Sequence, residues 1–355
     1  MTTLPMPFLI YGSYGYTGSL IADLAGKRGL QPILSGRNVN RLKTQAQKLG
    51  FDYYPISVDD PGTLEVALRD VSLVLNCAGP FTRTYRTVVE ACLNTGRHYL
   101  DITGEIKVFE GLAALDEKAR ETGVMLLPGV GLDVVPSDCL VAHLRQRLPT
   151  ASRLTLVIYG MGGGFSRGTA LTGIEGISGQ GVVRKDGKLV QVPLFAKTRQ
   201  VDLGRGPRMV VNIPWGDVST AYYSTGIPDI ENYMLLSRST LRMLRLTRPL
   251  IGLGKTRLVQ WLLRQAVMKM PPGPSDEIRR TARSGFWGEA MDDHGHQVIS
   301  RLETPSGYAL TTETALASVE RVLAGDFKPG FQTPSLAFGA DFILEFDGVV
   351  RQDII

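Results

Sequence analysis

Residues 9–29 read LIYGSYGYTGSLIADLAGKRG, and three glycines, Gly12, Gly15 and Gly18, fall at equal spacing where an apolar run gives way to a helical pattern. Glycine loses more backbone freedom on folding than any other residue, so three of them at a strand-to-helix junction need a structural purpose. In a dinucleotide-binding turn the first glycine permits the tight turn. The next lets the backbone approach a pyrophosphate at the positive helix N-terminus, and the last lets helix and strand pack closely. The spacing is G-x-x-G-x-x-G, a longer-turn variant of the usual G-x-G-x-x-G. The alternative is a tight structural turn with no ligand.

The pattern around this turn favours the ligand. Short apolar runs follow at 8–12, 31–36, 51–58, 72–79, 97–103 and 124–131, the pattern of buried parallel strands. Helical patterns alternate with them, several ending at a glycine (Gly29, Gly50, Gly96, Gly123). Strand–helix alternation with right-handed crossovers predicts an α/β, Rossmann-type doubly wound parallel sheet over residues 1–150. Past residue 150 the style changes to an α+β domain expected over 151–330. It has a hairpin turn at Asp186-Gly187, the run 208–223 read as strand, a second hairpin over 277–304 and a helix from Tyr308. Residues 331–355 are expected to pack back on the first domain.

Composition narrows the function. The chain has 355 residues, 43% hydrophobic and 21% charged, with a net charge of +5, which gives no case for a nucleic-acid partner. Three scattered cysteines (Cys77, Cys92, Cys139) fit neither a disulfide framework nor a zinc site and suggest a reducing, cytoplasmic interior. The N-terminus lacks the pattern of a signal peptide, and no run of 18 apolar residues predicts a spanning helix.

The second strand ends in Ser35-Gly36-Arg37-Asn38. An acidic residue there would hydrogen-bond the ribose 2′-hydroxyl of NAD. Serine followed by arginine instead welcomes a 2′-phosphate, so NADP(H) is expected, with Asn38 and Arg41 as further donors. The alternative for Arg37 is a solvated loop arginine. Tyr16 and Thr17 lie in the same turn as the glycines. Asp59 is placed at the adenine, and Asn76, Ala78, Gly79, Pro80 and Phe81 against the nicotinamide ribose, although Gly79-Pro80 also reads as a plain turn. Cys77 reads as a small core residue rather than a nucleophile.

The segments YGSYGYTG, SGRN, NCAGPF, ACLNTGRHYLDITGE, GVGLDVVPSD, RGTALTGIEG and GFQTPSLAFGADFI occur in order along nearly the whole chain. In them the sequence resembles the saccharopine dehydrogenase-like oxidoreductases, most of all the trans-acting enoyl reductase branch. The resemblance implies a Rossmann domain using NADP(H) and a C-terminal domain covering an active site. The expected activity is reduction of a C=C or C=N bond in an apolar or lipid-linked substrate. The rivals are a saccharopine-type amino-acid dehydrogenase and a non-catalytic NADP(H)-binding protein at lipid surfaces.

Ligands in open parallel sheets bind beyond the C-terminal strand ends, which selects Tyr99, Asp101, Thr103, Glu105 and Asp133. Asp101 and Glu105 serve either as acid/base groups or as anchors of the loop. Asp138 reads as a partner of a helix dipole. Arg167, after a glycine-rich stretch, either faces an anionic substrate or cofactor group or belongs to an interdomain loop. None of the twelve tyrosines has a lysine four residues later, which removes the Tyr-x-x-x-Lys chemistry of short-chain dehydrogenases. His294 and His296 read as a polar hairpin turn without a third ligand, so no metal is expected. Residues 231–270 carry eight Lys or Arg among Leu, Met, Ile and Trp261, with one acid, Glu231. That pattern fits a peripheral membrane contact, the wall of an acyl tunnel, or a core or homodimer-forming helix pair.

Overall fold

A computed structural model describes residues 7–160, 164, 166–175, 180–204, 206–236, 239, 242–243 and 256–355. The chain divides into two units, Met1–Val135 with Tyr308–Ala337, and Pro136–Gly307 with Phe338–Ile355. The expected split at 150 and return at 331 therefore move to 135 and 308.

The first unit runs β1 (Phe8–Tyr11), α1 (Tyr16–Lys27), β2 (Ile33–Gly36), α2 (Val39–Leu49), β3 (Tyr53–Pro55), α3 (Pro61–Leu68), β4 (Leu73–Asn76), α4 (Phe81–Thr95), β5 (His98–Asp101), α5 (Ile106–Ala113), α6 (Asp116–Glu121) and β6 (Met125–Leu127). The strands form a parallel sheet in the order β6-β5-β4-β1-β2-β3, extended beyond β6 by the strand Gly330–Phe331. Strand order reverses between β1 and β4, the switch point of a doubly wound sheet and the place where such sheets bind ligands. Every residue of β1, β2 and β4 is buried, which is why these strands read as continuous apolar runs rather than as alternating ones. Helices α2 and α4 end on left-handed Gly50 and Gly96.

The helix Gly307–Leu323 joins this unit alongside α1. The Tyr16 and Tyr308 rings meet edge-to-face at 5.0 Å, and Arg28 pairs with Glu320 at 2.7 Å and with Glu313. Thr311 Oγ1 accepts the Leu132 N–H at 3.0 Å, and Thr314 Oγ1 donates to the Val130 carbonyl at 2.8 Å, pinning the turn after β6.

The second unit contains α7 (Val135–Arg147), β7 (Arg153–Tyr159), α8 (Arg167–Glu175), β8 (Gln180–Lys185), β9 (Lys188–Pro193), β10 (Thr198–Asp202), β11 (Pro207–Asn212), α9 (Asp217–Thr225), β12 (Asp229–Leu235), β13 (Arg283–Met291) and β14 (Gln297–Pro305). Its mixed sheet runs β10-β11-β12-β7-β13-β14 and ends on the strand Val350–Asp353. Part of the C-terminal segment thus completes this sheet, while Gly330–Phe331 extends the other. The hairpin at Asp186-Gly187 forms as expected, with φ of 48° and 74° at the two turn residues. Val157, Val210, Tyr233 and Trp287 pack together in its core.

Two expectations fail here. Residues 217–225 are helix, not strand. Pro214 has no N–H to give a ladder, Asp217 suits a helix first turn, and Gly226 ends the helix at φ 70°. Residues 231–235 are strand, not helix, because β12 pairs in parallel with β7 and buries Ile230, Asn232 and Tyr233. A helix does occupy Arg257–Met268, but 237–238, 240–241 and 244–255, including the break expected at Pro249, lie outside the described residues.

Candidate functional site

The glycine turn has two positions that only glycine satisfies. Gly12 adopts φ +82°, and a Cβ there would sit 2.9 Å from the Ala78 backbone nitrogen. A Cβ on Gly18 would sit 2.5 Å from the Gly12 carbonyl oxygen, a backbone atom that cannot step aside. Helix α1 then starts at Gly15 with no side-chain cap and no acid in its first turn. Its leading amides and its dipole are left to an external anion.

The end of β2 supplies the complement. Arg37 is exposed, and its guanidinium makes no hydrogen bond or ion pair among the described residues. Arg41 lies over the Tyr14 ring at 4.7 Å and donates to the Tyr14 carbonyl at 3.1 Å. Tyr14 in turn packs on Gly36, where a Cβ would lie 2.6 Å from its ring, and its hydroxyl accepts the Asn38 N–H. Asn38 caps α2 by accepting the Arg41 N–H at 3.0 Å. Tyr14, Arg41 and Lys48 border a groove of about 380 Å³. Ser35, in the acid's place, is fully buried and donates to the Tyr54 carbonyl at 2.9 Å, so its part is to withhold a carboxylate rather than to reach outward. These residues fit a phosphorylated dinucleotide: a helix N-terminus without a side-chain cap, an arginine unpaired among the described residues, and no carboxylate in Ser35–Asn38 at the end of β2. Asp59 is exposed and paired with Ser57, whose hydroxyl donates to it at 2.9 Å.

Beyond β4 and β5 a buried polar network sets the loops. Asn76 accepts the Ala78 N–H and donates to Thr84 and to the Tyr99 hydroxyl at 3.2 and 3.1 Å. Tyr99 donates to Asp101 at 2.8 Å, and the other Asp101 oxygen accepts the Thr103 and Gly129 amides, both at 2.9 Å. Burial pushes the Asp101 carboxyl up to about 7, against the pull of these donors. Its three partners tie the ends of β5 and β6 together, which is the anchoring role. Glu105 is held in the same way: its carboxylate accepts the Phe81 and Thr82 N–H groups at 2.7 and 3.1 Å, closing the N-terminus of α4, where Pro80 leaves no side-chain cap. Gly79 and Pro80 form a cis peptide in the turn between Ala78 and Phe81. Burial, with Asp101 nearby, raises the Cys77 thiol far from a reactive thiolate.

Asp133 meets this cluster from the turn after β6. Its carboxyl lies against Gly104, where a Cβ would come within 3.0 Å of it, and burial raises it to about 6. Arg167 is bonded within its own unit. It belongs to the second unit, where its Nε and N–H donate to the Met270 and Pro272 carbonyls at 2.5 and 3.0 Å. Much of the glycine-rich stretch before it lies outside the described residues. Asp138 accepts from Ser224 in that unit, and Asp292, bonded to His296 at 2.9 Å, knits the His294–His296 turn. Sequence reading missed Tyr14, which organises Arg41, and Tyr308 and Thr311, which reach the glycine turn and the Asp133 turn from a distant helix. The aromatic x position inside the glycine motif was the one local signal.

Residues 8–127 match the family model described as saccharopine dehydrogenase NADP binding domain. A trans-acting enoyl reductase of Mycobacterium leprae is 36% identical over 148 residues, covering 39% of this chain and 35% of that protein. A saccharopine dehydrogenase-like oxidoreductase of Mus musculus is 28% identical over 212 residues, 52% of this chain and 49% of that protein. The chain spans about half or less of the length of the curated relatives it matches. Among solved structures, apo saccharopine dehydrogenase (L-Glu forming) of Saccharomyces cerevisiae shares the fold, with a TM-score of 0.65 at 13% identity over 99% of this chain and 100% of that one. The resemblance read from the motifs and the NADP(H) expectation both agree with these matches.

Proposed function

We propose that the chain is an NADP(H)-dependent oxidoreductase that reduces a C=C or C=N bond in an apolar or lipid-linked substrate. The observation that carries this reading is the uncapped N-terminus of α1 next to the unpaired Arg37. The names of the sequence relatives support the reaction class. When bound, NADP(H) supplies the hydride.

The chain's own residues do the rest. The leading amides of α1 after Gly15 hold the pyrophosphate, and Arg37, with Arg41 steadied by Tyr14, holds the 2′-phosphate. Asp101 and Glu105 act as positioning residues, since each carboxylate is engaged by backbone amides. Asp133, which burial raises to about 6, holds a proton below that pH and delivers it from its carboxyl to the substrate atom that gains the electron pair, completing the reduction.

The test is a titration of wild-type protein and Arg37→Asp with NADPH and with NADH. Loss of a charge-assisted contact plus repulsion should cost NADPH about 2–4 kcal/mol, roughly 30- to 700-fold in affinity, with a much smaller effect on NADH. Equal losses for both cofactors would defeat the assignment. Turnover on enoyl, imine and amino-acid panels then identifies the bond reduced.

A further inference from the structure

The helix Arg257–Met268 carries apolar residues on more than the side it buries. One side packs on α8: Val267 is buried, and Gln260 Nε2 donates to the Ile174 carbonyl at 3.1 Å. Elsewhere Trp261, Leu262 and Met268 are 56%, 51% and 55% exposed. Positions 261, 262, 265, 268 and 269 share one stripe of a 3.6-residue helix, so these three side chains lie with exposed Gln265 and Lys269. A single exposed leucine needs no explanation, whereas an indole, a leucine and a methionine on one stripe mark a contact surface.

The surrounding charge says what kind. From Asn232 to Ser275 the chain carries eight Lys or Arg and not one Asp or Glu. A second copy docked symmetrically here would bring together two stripes that each carry exposed Lys269 and no acid, which like-charge repulsion disfavours. Anionic headgroups match both the charge and the apolar stripe. The geometry is that of a helix lying flat: at 12 residues it reaches about 18 Å, and no helix among the described residues is long and apolar enough to cross a membrane. Tryptophan is suited to the headgroup boundary, with its ring in the apolar layer and its N–H in the wet one.

The structure points us to this assignment: the Trp261–Leu262–Met268 face docks on an anionic phospholipid bilayer, with exposed Lys269 on the same stripe meeting the headgroups. The face is separate from the cofactor-binding residues, so the assignment does not depend on the oxidoreductase reading.

The full chain would be sedimented with phosphatidylcholine vesicles, with and without phosphatidylglycerol. Pelleting is expected only with phosphatidylglycerol and should weaken as salt rises. The double variant Trp261→Glu, Leu262→Glu should lower vesicle binding by about tenfold or more, while Trp261→Phe retains it. Both variants change exposed side chains, and an unaltered NADPH titration will show that the fold is intact. No pelleting at low salt, or equal binding by wild type and double variant, would overturn the assignment. So would a vesicle-free dimer that the double variant dissociates, which would give the face to a second copy.

Discussion

Removing the Glu105 carboxylate should cost stability before it costs chemistry. Its two oxygens accept the first two N–H groups of α4, at 2.7 and 3.1 Å, and Pro80 provides no other cap. Glu105→Ala strips the N-terminus of a 15-residue helix of the carboxylate that accepts its first two N–H groups, and with it of an anion at the positive end of its dipole. Losing a cap costs about 0.5–2 kcal/mol, and an anion at a helix N-terminus contributes about 0.3–1 kcal/mol. Water reaches the Thr82 end and recovers part of the loss, so the net expectation is about 2 kcal/mol. For a unit of this size that lowers the melting temperature by about 4–8 °C. Glu105→Gln keeps one acceptor oxygen but turns an NH₂ toward the second amide, so it should fall between wild type and alanine. Circular-dichroism melts of the three proteins, with an NADPH titration beside each, measure this directly. The reasoning is refuted if alanine melts within about 1 °C of wild type. If glutamine at the same time abolishes turnover, the carboxylate serves the reaction and not the helix.

Gly18→Ala places a Cβ 2.5 Å from the Gly12 carbonyl, so α1 must move off β1. A loss of about 2–3 kcal/mol in urea unfolding, with a larger proportional loss of NADPH affinity, is expected; an unchanged protein would mean the helix–strand packing is looser than described. Asp133 titrates at about 6 in the fold and at about 3.9 in the unfolded chain, so its contribution to stability is present below about pH 4 and is lost as pH rises through 6. Relative to Asp133→Asn, the wild type should therefore lose about 2–3 kcal/mol between about pH 4 and pH 7, and parallel stability curves for the two proteins would contradict the burial of this carboxyl.

Backbone demands were legible in the sequence; side-chain partnerships were not. Gly12 and Gly18 announced themselves because a Cβ would sit 2.9 Å from the Ala78 nitrogen at the first, where φ is also positive, and 2.5 Å from a carbonyl at the second. The buried strands were equally plain, since a sheet covered on both faces leaves no polar alternation to confuse with anything else. Asp101 and Glu105 could be placed at strand ends, but their partners, Gly129 and Phe81, lie 28 and 24 residues away and are fixed by sheet register. Tyr308 and Thr311 carried no local sign of reaching residues near 16 and 132. The helix 217–225 was hidden by its β-favouring valine, threonine and tyrosines. Packing overrode that propensity, and the Pro214 and Gly226 boundaries were the better guide.

The way the acids are spent constrains the chemistry. Three donors hold Asp101, two amides hold Glu105, and Ser57 holds Asp59, so these carboxyl groups are engaged by the chain's own loops and helix ends. Burial raises Asp133 to about 6, and at Asp101 it outweighs three hydrogen-bond donors and raises that carboxyl to about 7. The same pattern appears at the end of β2, where Asn38 caps α2 and Tyr14 braces Arg41. A fold that commits its other polar groups to its own loops delivers reactivity through the few it leaves uncommitted. Among the described residues, the Arg37 guanidinium is such a group: exposed, with no hydrogen bond or ion pair.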